Sequence, residues 1–238
     1  MITVALIGPD GAGKTTISQR LDGRLSRRVR HIYMGINPEA SNHLLPTTRA
    51  LRAIRRRLGN APDAGGPREH SAGETTPRSP LRRLLKGARA WARMGNRMAE
   101  EWYRAAIAAA FCRQGCVVVF DRHFYSDYHA YDIAGTNVSA PNRLHGLMLQ
   151  HWYPKPDLVV YLDAPAEVLF ARKGEGSLEL LERRRQDYLA LRDQVPNFAV
   201  VDAAQPLDAA TDDVVRVIDG FLATRSAGRA GGHRVPTE

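Results

Sequence analysis

Four short apolar segments, each followed by a polar or glycine-rich position, dominate the hydropathy pattern of the chain. They are Ile2 to Ile7, Val117 to Phe120, Leu158 to Leu162 and Phe198 to Val201, followed by Gly8, Asp121, Asp163 and Asp202. Continuous apolar runs of this length are typical of parallel strands that are buried on both faces. We therefore predict four such strands, with a shorter fifth strand over His31 to Met34.

Helical periodicity fills much of the chain between these strands. The predicted helices cover Lys14 to Leu25, Arg49 to Leu58, Leu81 to Phe111, Leu178 to Leu191 and Asp208 to Thr224, with another starting near Pro165. Strands that alternate with helices predict an α/β fold with a central parallel sheet and helices on both faces. Ligands of such sheets bind at the carboxyl ends of the strands, which is where the four polar positions lie.

The length of 238 residues and the hydrophobic content of 44% suit one domain, which we expect over residues 1–224. Residues 59–80 are rich in Gly, Pro, Ser, Thr and charge, which predicts a flexible insert. The glycine-rich basic segment 225–238 is expected to be a disordered tail.

The first strand leads into Gly8-Pro9-Asp10-Gly11-Ala12-Gly13-Lys14-Thr15, which fits the pattern G-x-x-x-x-G-K-[ST] without a mismatch. Its glycines let backbone N–H groups turn toward phosphate oxygens, Lys14 can reach the β- and γ-phosphates, and Thr15 can bind Mg²⁺. We predict an ATP·Mg²⁺ site, since no N-K-x-D motif for reading guanine is present. Its residues are Gly8, Asp10, Gly11, Ala12, Gly13, Lys14, Thr15 and Thr16.

Asp121 and Arg122 directly follow the strand VVVF. Asp121 stands where a carboxylate that holds Mg²⁺ or polarises the phosphate acceptor is expected, although a strand-end Asp can also simply cap a turn. The planar guanidinium of Arg122 suits a phosphate or carboxylate on the acceptor, with a plain surface arginine as the alternative.

A cationic segment between two predicted helices has the composition of a lid. It contains Arg172-Lys173-Gly174 and the run Arg183-Arg184-Arg185, and we assign the lid to residues 172–186. Arginines that arrive when a lid closes can neutralise charge that develops during phosphoryl transfer. Arg172, Arg184 and Arg185 are the catalytic candidates, although consecutive arginines point in different directions and a solvated charged face is the alternative.

Further candidates for binding the acceptor are Tyr128, Tyr131 and Arg143. The two tyrosines belong to an aromatic cluster with Phe124 and Tyr125 that could stack on a base or sugar, or pack in the core.

The formal net charge of +9 attracts polyanions, which include nucleoside triphosphates, nucleic acids and acidic membranes. The basic segments Arg49 to Arg57 and Arg78 to Arg97, with Trp91 and Trp102 close by, leave open a nucleotide-regulated protein that binds nucleic acid or a membrane. An amphipathic helix docked on the core is the alternative for the second segment. Two cysteines and the lack of a long apolar segment predict a soluble protein of the reducing cytoplasm.

Five sequence segments together resemble the thymidylate kinase-like family of P-loop nucleoside-monophosphate kinases. They are GPDGAGKTT, DRH after a buried strand, PDLVVYLDAP, RKGE and ERRRQDYLAL, within the first 25 residues or so and between Cys116 and about Pro206. The resemblance implies a three-layer P-loop NTPase fold with a helical lid. It also implies an ATP-dependent phosphotransferase that moves the γ-phosphate to a nucleoside monophosphate, with a homodimer as one possible assembly.

The resemblance also implies roles for single residues. Asp10 would lie near the sugar of the acceptor and the metal, Arg122 would hold the acceptor phosphate, and Arg172 would stack on adenine. Arg185 would be a lid arginine, as in members whose P-loop carries no arginine.

Two segments depart from the family pattern. The acceptor loop F-x-R-E-P-G-G is replaced by YMGINPEASNHLLP, and the family's S-x-x-A-Y-Q segment has Asp132 in place of its glutamine. The acceptor therefore stays open between a nucleoside monophosphate and a nucleoside, sugar or other small metabolite.

Overall fold

The structure, a computed structural model, describes residues 1–35, 41, 43–57, 80–123, 139–174 and 177–231. Its strands are β1 (Ile2–Ile7), β2 (Val29–Tyr33), β3 (Val117–Asp121), β4 (Leu158–Asp163) and β5 (Phe198–Asp202). Its α-helices are α1 (Lys14–Arg20), α2 (Pro46–Arg57), α3 (Pro80–Arg113), α4 (Ala140–His151), α5 (Ala166–Lys173), α6 (Leu178–Leu189) and α7 (Leu207–Gly231), and a 3₁₀ helix covers Ala190–Gln194. The predicted α/β fold is confirmed, and each predicted strand is present.

The chain forms two compact units. The first unit comprises residues 1–31, 111–122 and 156–238, and the second comprises residues 32–110 and 123–155. The single domain expected over residues 1–224 stays a prediction, and each unit is described by itself. The predicted insert 59–80 lies almost entirely outside the described residues.

The sheet has the strand order β2-β3-β1-β4-β5, with β1 at its centre. Strand β1 pairs in parallel with β3 and β4, and β4 pairs in parallel with β5. Leu6 lies opposite Asp121, and Asp163 lies opposite Asp202. Because these pairs are in register, the polar residues that end the strands lie along the same edge of the sheet as the loop that follows β1.

The core of the first unit explains why the strands carry no polar alternation. Every residue of β3 is buried, so both faces of that strand are covered. Val4 and Leu6 of β1 pack in one cluster with Ile17 of α1 and with Val214 and Ile218 of α7. Complete burial of such side chains is the main source of stability of the unit, at about 1.5–3 kcal/mol for each.

Helix α7 continues past the predicted start of the disordered tail. Residues 225–231 are helical, so the expectation of disorder is wrong for them, whereas residues 232–238 lie outside the described residues. Arg225 explains the difference, because its guanidinium donates to the carbonyl oxygen of Met1 and to Asp157 Oδ1, the latter at 2.5 Å. Contacts between residues distant in sequence therefore hold this end of the helix.

The second unit is organised around α3 and α4. His145 Nε2 lies 2.9 Å from Glu101 Oε2 in the interior, and the rings of Trp102 and Tyr153 pack in a tilted arrangement with 5.0 Å between their centroids. Arg104, also buried, donates to the carbonyl oxygens of Tyr33 and Gly35. Within the described ranges, none of the helices combines the length and the apolar character needed to cross a membrane.

Candidate active site

The glycine-rich loop after β1, residues 8–15, has a backbone that only glycine adopts easily. We call it the phosphate loop, after the motif that it matches. The φ angles of Gly8, Gly11 and Gly13 are 149°, 92° and 83°. A Cβ atom added at Gly8 would lie 2.7 Å from the carbonyl oxygen of Leu162 in β4. Glycine is therefore required at position 8 for two reasons: it permits the turn, and it lets the loop approach β4.

Lys14, the first residue of α1, is buried and reaches back over the loop. Its Nζ donates to the carbonyl oxygens of Gly8 at 2.7 Å and Pro9 at 2.6 Å, and lies 3.9 Å from Asp10 Oδ1. The ammonium group is thus held within the curve of the loop, where a lysine of this motif contacts phosphate oxygens.

Thr15 and Asp121 join the loop to the end of β3. The Thr15 hydroxyl donates to Asp121 Oδ2 at 2.7 Å. Asp121 is only 9% exposed, and among the described residues its Oδ1 atom has no hydrogen-bond partner. Mg²⁺ in phosphoryl-transfer sites is held by one or two carboxylates together with phosphates, and a buried carboxylate oxygen without a partner beside a Thr hydroxyl fits that donor set. The predicted metal ligands are therefore neighbours in the fold.

Asp10 is surrounded by three cations. Arg122 forms an ion pair with its carboxylate, and the ammonium groups of Lys14 and Lys173 lie 3.9 Å and 4.0 Å from Asp10 Oδ1. Burial raises the pKa of Asp10, but the attraction of Arg122, Lys14 and Lys173 outweighs it, so the pKa lies below its usual range. The excess of positive charge suits an anionic ligand.

Arg122 has an unusual backbone. Its φ angle is 65°, and among the described residues it is the only one other than glycine with a positive φ. Such a conformation costs about 1–2 kcal/mol for a residue with a side chain. It directs Arg122 to Asp10, so the strain lies in a predicted ligand-binding residue.

Arg172, near the end of α5, contacts the loop from another direction. Its guanidinium donates to the carbonyl oxygens of Ala203 at 2.7 Å and Ala204 at 3.3 Å, and lies 3.5 Å from that of Gly11. The side chain therefore joins the phosphate loop to the segment after β5. Its predicted roles in catalysis and in stacking on adenine stay predictions.

Arg185 of α6 binds a carboxylate at the end of β4. Its Nε and Nη2 atoms donate to the two carboxylate oxygens of Asp163 at 2.6 Å and 2.8 Å, and the Tyr161 hydroxyl donates to Asp163 Oδ1 at 3.1 Å. The hydrogen bonds from Arg185 outweigh partial burial and hold the pKa of Asp163 below its usual range. No sequence motif predicts this link between β4 and α6, because the two residues are 22 positions apart in the chain.

The structure also shows a half-buried histidine, His31, that no sequence motif marks. His31 Nδ1 lies 3.0 Å from Ser18 Oγ of α1, and its buried Nε2 atom has no hydrogen-bond partner within the described ranges. Burial lowers the pKa of His31, against the attraction of Asp22 and Asp121. His31 thus adds a polar group to the side of the sheet that carries Asp121.

Four predicted site residues take no part in the contacts described above for the loop and the strand ends. Tyr128 and Tyr131 lie outside the described residues, as do the lid positions 175–176. Arg143 is exposed on α4 and belongs to the second unit, and Arg184 is half-buried on α6. Their roles stay predictions.

Comparisons with known proteins agree with this geometry. A thymidylate kinase of Alteromonas mediterranea is 34% identical over 119 residues, and a probable thymidylate kinase of Archaeoglobus fulgidus is 32% identical over 117 residues. These matches cover 45% and 46% of the chain but only 52% and 57% of the two relatives. A thymidylate kinase of Haemophilus ducreyi is 28% identical over an alignment of 231 residues, and the match covers 92% of the chain and 94% of the relative. The chain is therefore similar to curated thymidylate kinases over nearly its whole length. No family model matches it.

The likeness of the chain to these relatives extends beyond the glycine-rich loop. The match to the Haemophilus ducreyi protein spans nearly the whole chain, including the segments in which the acceptor motifs depart from the family pattern. The family resemblance stated from the sequence is therefore confirmed.

Proposed function

We propose that the chain is an ATP-dependent phosphotransferase that transfers the γ-phosphate of ATP to a nucleoside monophosphate. The observation that carries the proposal is the meeting of the phosphate loop and Asp121 at one edge of the sheet, joined by the hydrogen bond from Thr15. The thymidylate kinases to which the chain is similar support the same reaction class.

Each residue of the loop has a distinct task in this proposal. The backbone of Gly11 to Gly13 and the Lys14 ammonium would bind the phosphates of ATP, and Thr15 with Asp121 would hold Mg²⁺. ATP·Mg²⁺ supplies an activated phosphoryl group whose charge the metal partly neutralises. Lys14 is already positioned by two carbonyl oxygens, so little reorganisation is needed for it to donate to a phosphate.

Arg122 would bind the phosphate of the acceptor. Its guanidinium is oriented by Asp10 and has five N–H donors, so one edge can remain on the carboxylate while another contacts an anion. Lys173 adds positive charge on the same side of the loop. This cation cluster favours an acceptor with a phosphate over a neutral nucleoside or sugar.

A transfer assay tests the proposal. We expect label from γ-labelled ATP with Mg²⁺ to appear on at least one nucleoside monophosphate in a panel that also contains nucleosides and sugars. Lys14→Ala and Asp121→Asn should each lower the rate at least about a hundredfold with an unchanged circular dichroism spectrum. Asp202→Asn is the matched control, since this exposed carboxylate ends β5 and should leave the rate unchanged. Label on a neutral acceptor alone would show instead that the second candidate, a kinase of small metabolites, is right.

The two cysteines bear on the compartment in which the protein works. Cys112 and Cys116 are both free and buried, which suits a reducing compartment such as the cytoplasm. The homodimer stays a prediction.

A further inference from the structure

Two helical segments of the second unit carry a concentration of positive charge that the proposed reaction does not use. We call them the basic helical pair: α2 (Pro46–Arg57) and the segment Pro80–Arg97 of α3. Five arginines lie in α2, six Lys or Arg residues lie in Pro80–Arg97, and neither segment contains Asp or Glu. These cations outnumber the net charge of +9, so the rest of the chain is net negative. The net positive charge of the protein therefore comes from this pair.

The two segments are neighbours in the fold. The Thr48 hydroxyl donates to Asn96 Oδ1 at 3.3 Å, and the backbone N–H of Leu45 lies 3.2 Å from both carboxylate oxygens of Glu100. These contacts fix the start of α2 beside α3. The structure thus places the start of α2 beside the end of the Pro80–Arg97 segment.

The first half of α3 also exposes an apolar stripe. Leu81, Leu84, Leu85 and Trp91 are between 47% and 71% exposed. Their spacing, with the exposed Ala88 between them, places them on one face of the helix. Single exposed leucines are common, but four large apolar side chains on one face indicate a partner.

The stripe is not the side by which α3 packs in its own unit. The buried positions of the helix include Met94, Glu101, Ala105 and Ala108, which recur at helical spacing along a different line. The cations Lys86, Arg89, Arg93 and Arg97 recur at spacings of three and four residues, which places them in an arc away from the stripe. The segment is thus amphipathic, with an apolar face that its own core does not cover.

The chemistry of this surface selects one kind of partner. Nucleic acid would neutralise the cations but would leave the leucines in water, and a second copy would bring two strongly positive surfaces together. An anionic bilayer surface satisfies both features, because apolar side chains enter the headgroup region while Lys and Arg contact the lipid phosphates. We infer that the basic helical pair docks the protein in the plane of an anionic membrane surface, with Leu81, Leu84, Leu85 and Trp91 inserted.

Vesicle binding by the full chain tests the inference. We expect co-sedimentation with phosphatidylcholine vesicles that contain about 30% phosphatidylglycerol, and none with phosphatidylcholine alone. Arg89→Glu with Arg93→Glu should weaken binding at least about tenfold, and so should Leu84→Ser with Leu85→Ser. Trp91 fluorescence should shift to shorter wavelength with the anionic vesicles only, because the indole leaves water.

Matched controls use exposed residues of the same unit or the same helix. Leu147→Ser, at a side chain that is 55% exposed on α4, and Arg113→Glu, at the other end of α3, should bind vesicles like the wild type. Circular dichroism spectra and phosphotransferase rates without vesicles should be unchanged in all four variants. Loss of vesicle binding with an intact reaction separates this inference from the proposed function.

Four results would overturn the inference. Equal binding to neutral and anionic vesicles would exclude contacts between the cations and lipid phosphates, and full binding by the Leu84→Ser, Leu85→Ser variant would exclude insertion of the stripe. Tighter, salt-sensitive binding to single-stranded DNA, insensitive to the leucines, would assign the surface to nucleic acid. A dimer in light scattering that the leucine substitutions dissociate would assign the stripe to a second copy.

Discussion

Arg122 shows how one residue can combine strain with a ligand-binding task. Its left-handed backbone costs free energy that an ordinary surface arginine would avoid by adopting another conformation. The conformation persists because the preceding strand is anchored in the sheet and the Arg122 backbone N–H donates to the carbonyl oxygen of Leu6 at 3.1 Å. The guanidinium is thereby presented to Asp10, beside the phosphate loop.

Two substitutions of Arg122 should distinguish the effect of its strained backbone on stability from the effect of its guanidinium on acceptor binding. Arg122→Gly and Arg122→Ala both remove the guanidinium, so we expect each to raise the KM for the acceptor at least about tenfold with a smaller effect on the KM for ATP. Glycine tolerates the positive φ, so Arg122→Gly should be about 1 kcal/mol more stable than Arg122→Ala in urea unfolding. Equal stability of the two variants would contradict the strain, and an unchanged acceptor KM would contradict the ligand-binding role.

At the scale of elements, the phosphate loop depends on close contact with β4. Gly8 lies directly against the carbonyl oxygen of Leu162, and backbone atoms of a central strand cannot move away. From the sequence motif alone, Gly8 is explained only by the positive φ angle that the loop requires. The structure adds a steric reason that comes from a strand about 150 residues later in the chain.

Gly8→Ala should therefore destabilise the protein more than an alanine at another glycine with positive φ. Gly23, with a φ of 74° and nothing within 4 Å of an added Cβ, is the matched control. We expect Gly23→Ala to cost about 1 kcal/mol and Gly8→Ala at least about 3 kcal/mol of unfolding free energy, measured in urea. Similar losses for both variants would show that the contact with Leu162 relaxes at little cost.

The ion pair of Asp163 with Arg185 links β4 to α6, and its effect depends on pH. The folded pKa of Asp163 is lowered, so the pair stabilises the fold fully above the unfolded pKa of about 3.9 and loses this effect as the pH falls through the lower folded pKa. We expect Asp163→Asn to lower the unfolding free energy at pH 7 by about 2 kcal/mol. The difference from the wild type should shrink below about pH 4.

Urea unfolding at about pH 7, 5, 3.5 and 2.5 tests this prediction, because these values lie on both sides of the unfolded carboxyl pKa. Asp202→Asn serves as the control, because this strand-end carboxylate is exposed and accepts a hydrogen bond from the backbone N–H of Ala204. A difference between wild type and Asp163→Asn that stays constant through the acid range would show that the pair does not depend on the ionised carboxylate.

For the whole molecule, a bound nucleotide should raise stability by mass action. ATP with Mg²⁺ at about a hundred times its Kd should add about 2.7 kcal/mol to the unfolding free energy and raise Tm by several degrees. Lys14→Ala should abolish most of the shift, whereas the exposed-site variant Leu84→Ser should show the full shift. The measurement is differential scanning fluorimetry with and without ATP·Mg²⁺. The absence of any shift for the wild type would contradict the proposed nucleotide site.

Much of the fold and part of the site could be predicted because their signals are local. The burial of β1, β3, β4 and β5 requires continuous apolar runs, and a phosphate loop requires glycines and a lysine at fixed spacing. Strand ends in a parallel sheet share an edge, so the meeting of Thr15 with Asp121 also followed from order and spacing. Arg122 was identified by its place after a buried strand.

The remaining features of the fold and the site depend on contacts between residues that are distant in sequence. The periodicity of the sequence does not predict such contacts. The sequence by itself determined the α/β class, the phosphate loop and the identity of the cations, since these depend on residue type and local spacing. Only the tertiary structure decided that Arg185 pairs with Asp163, that Arg225 extends α7, and that the leucines of α3 are exposed. The physical reason is that a charge or an apolar face acquires its role from the groups folding places beside it.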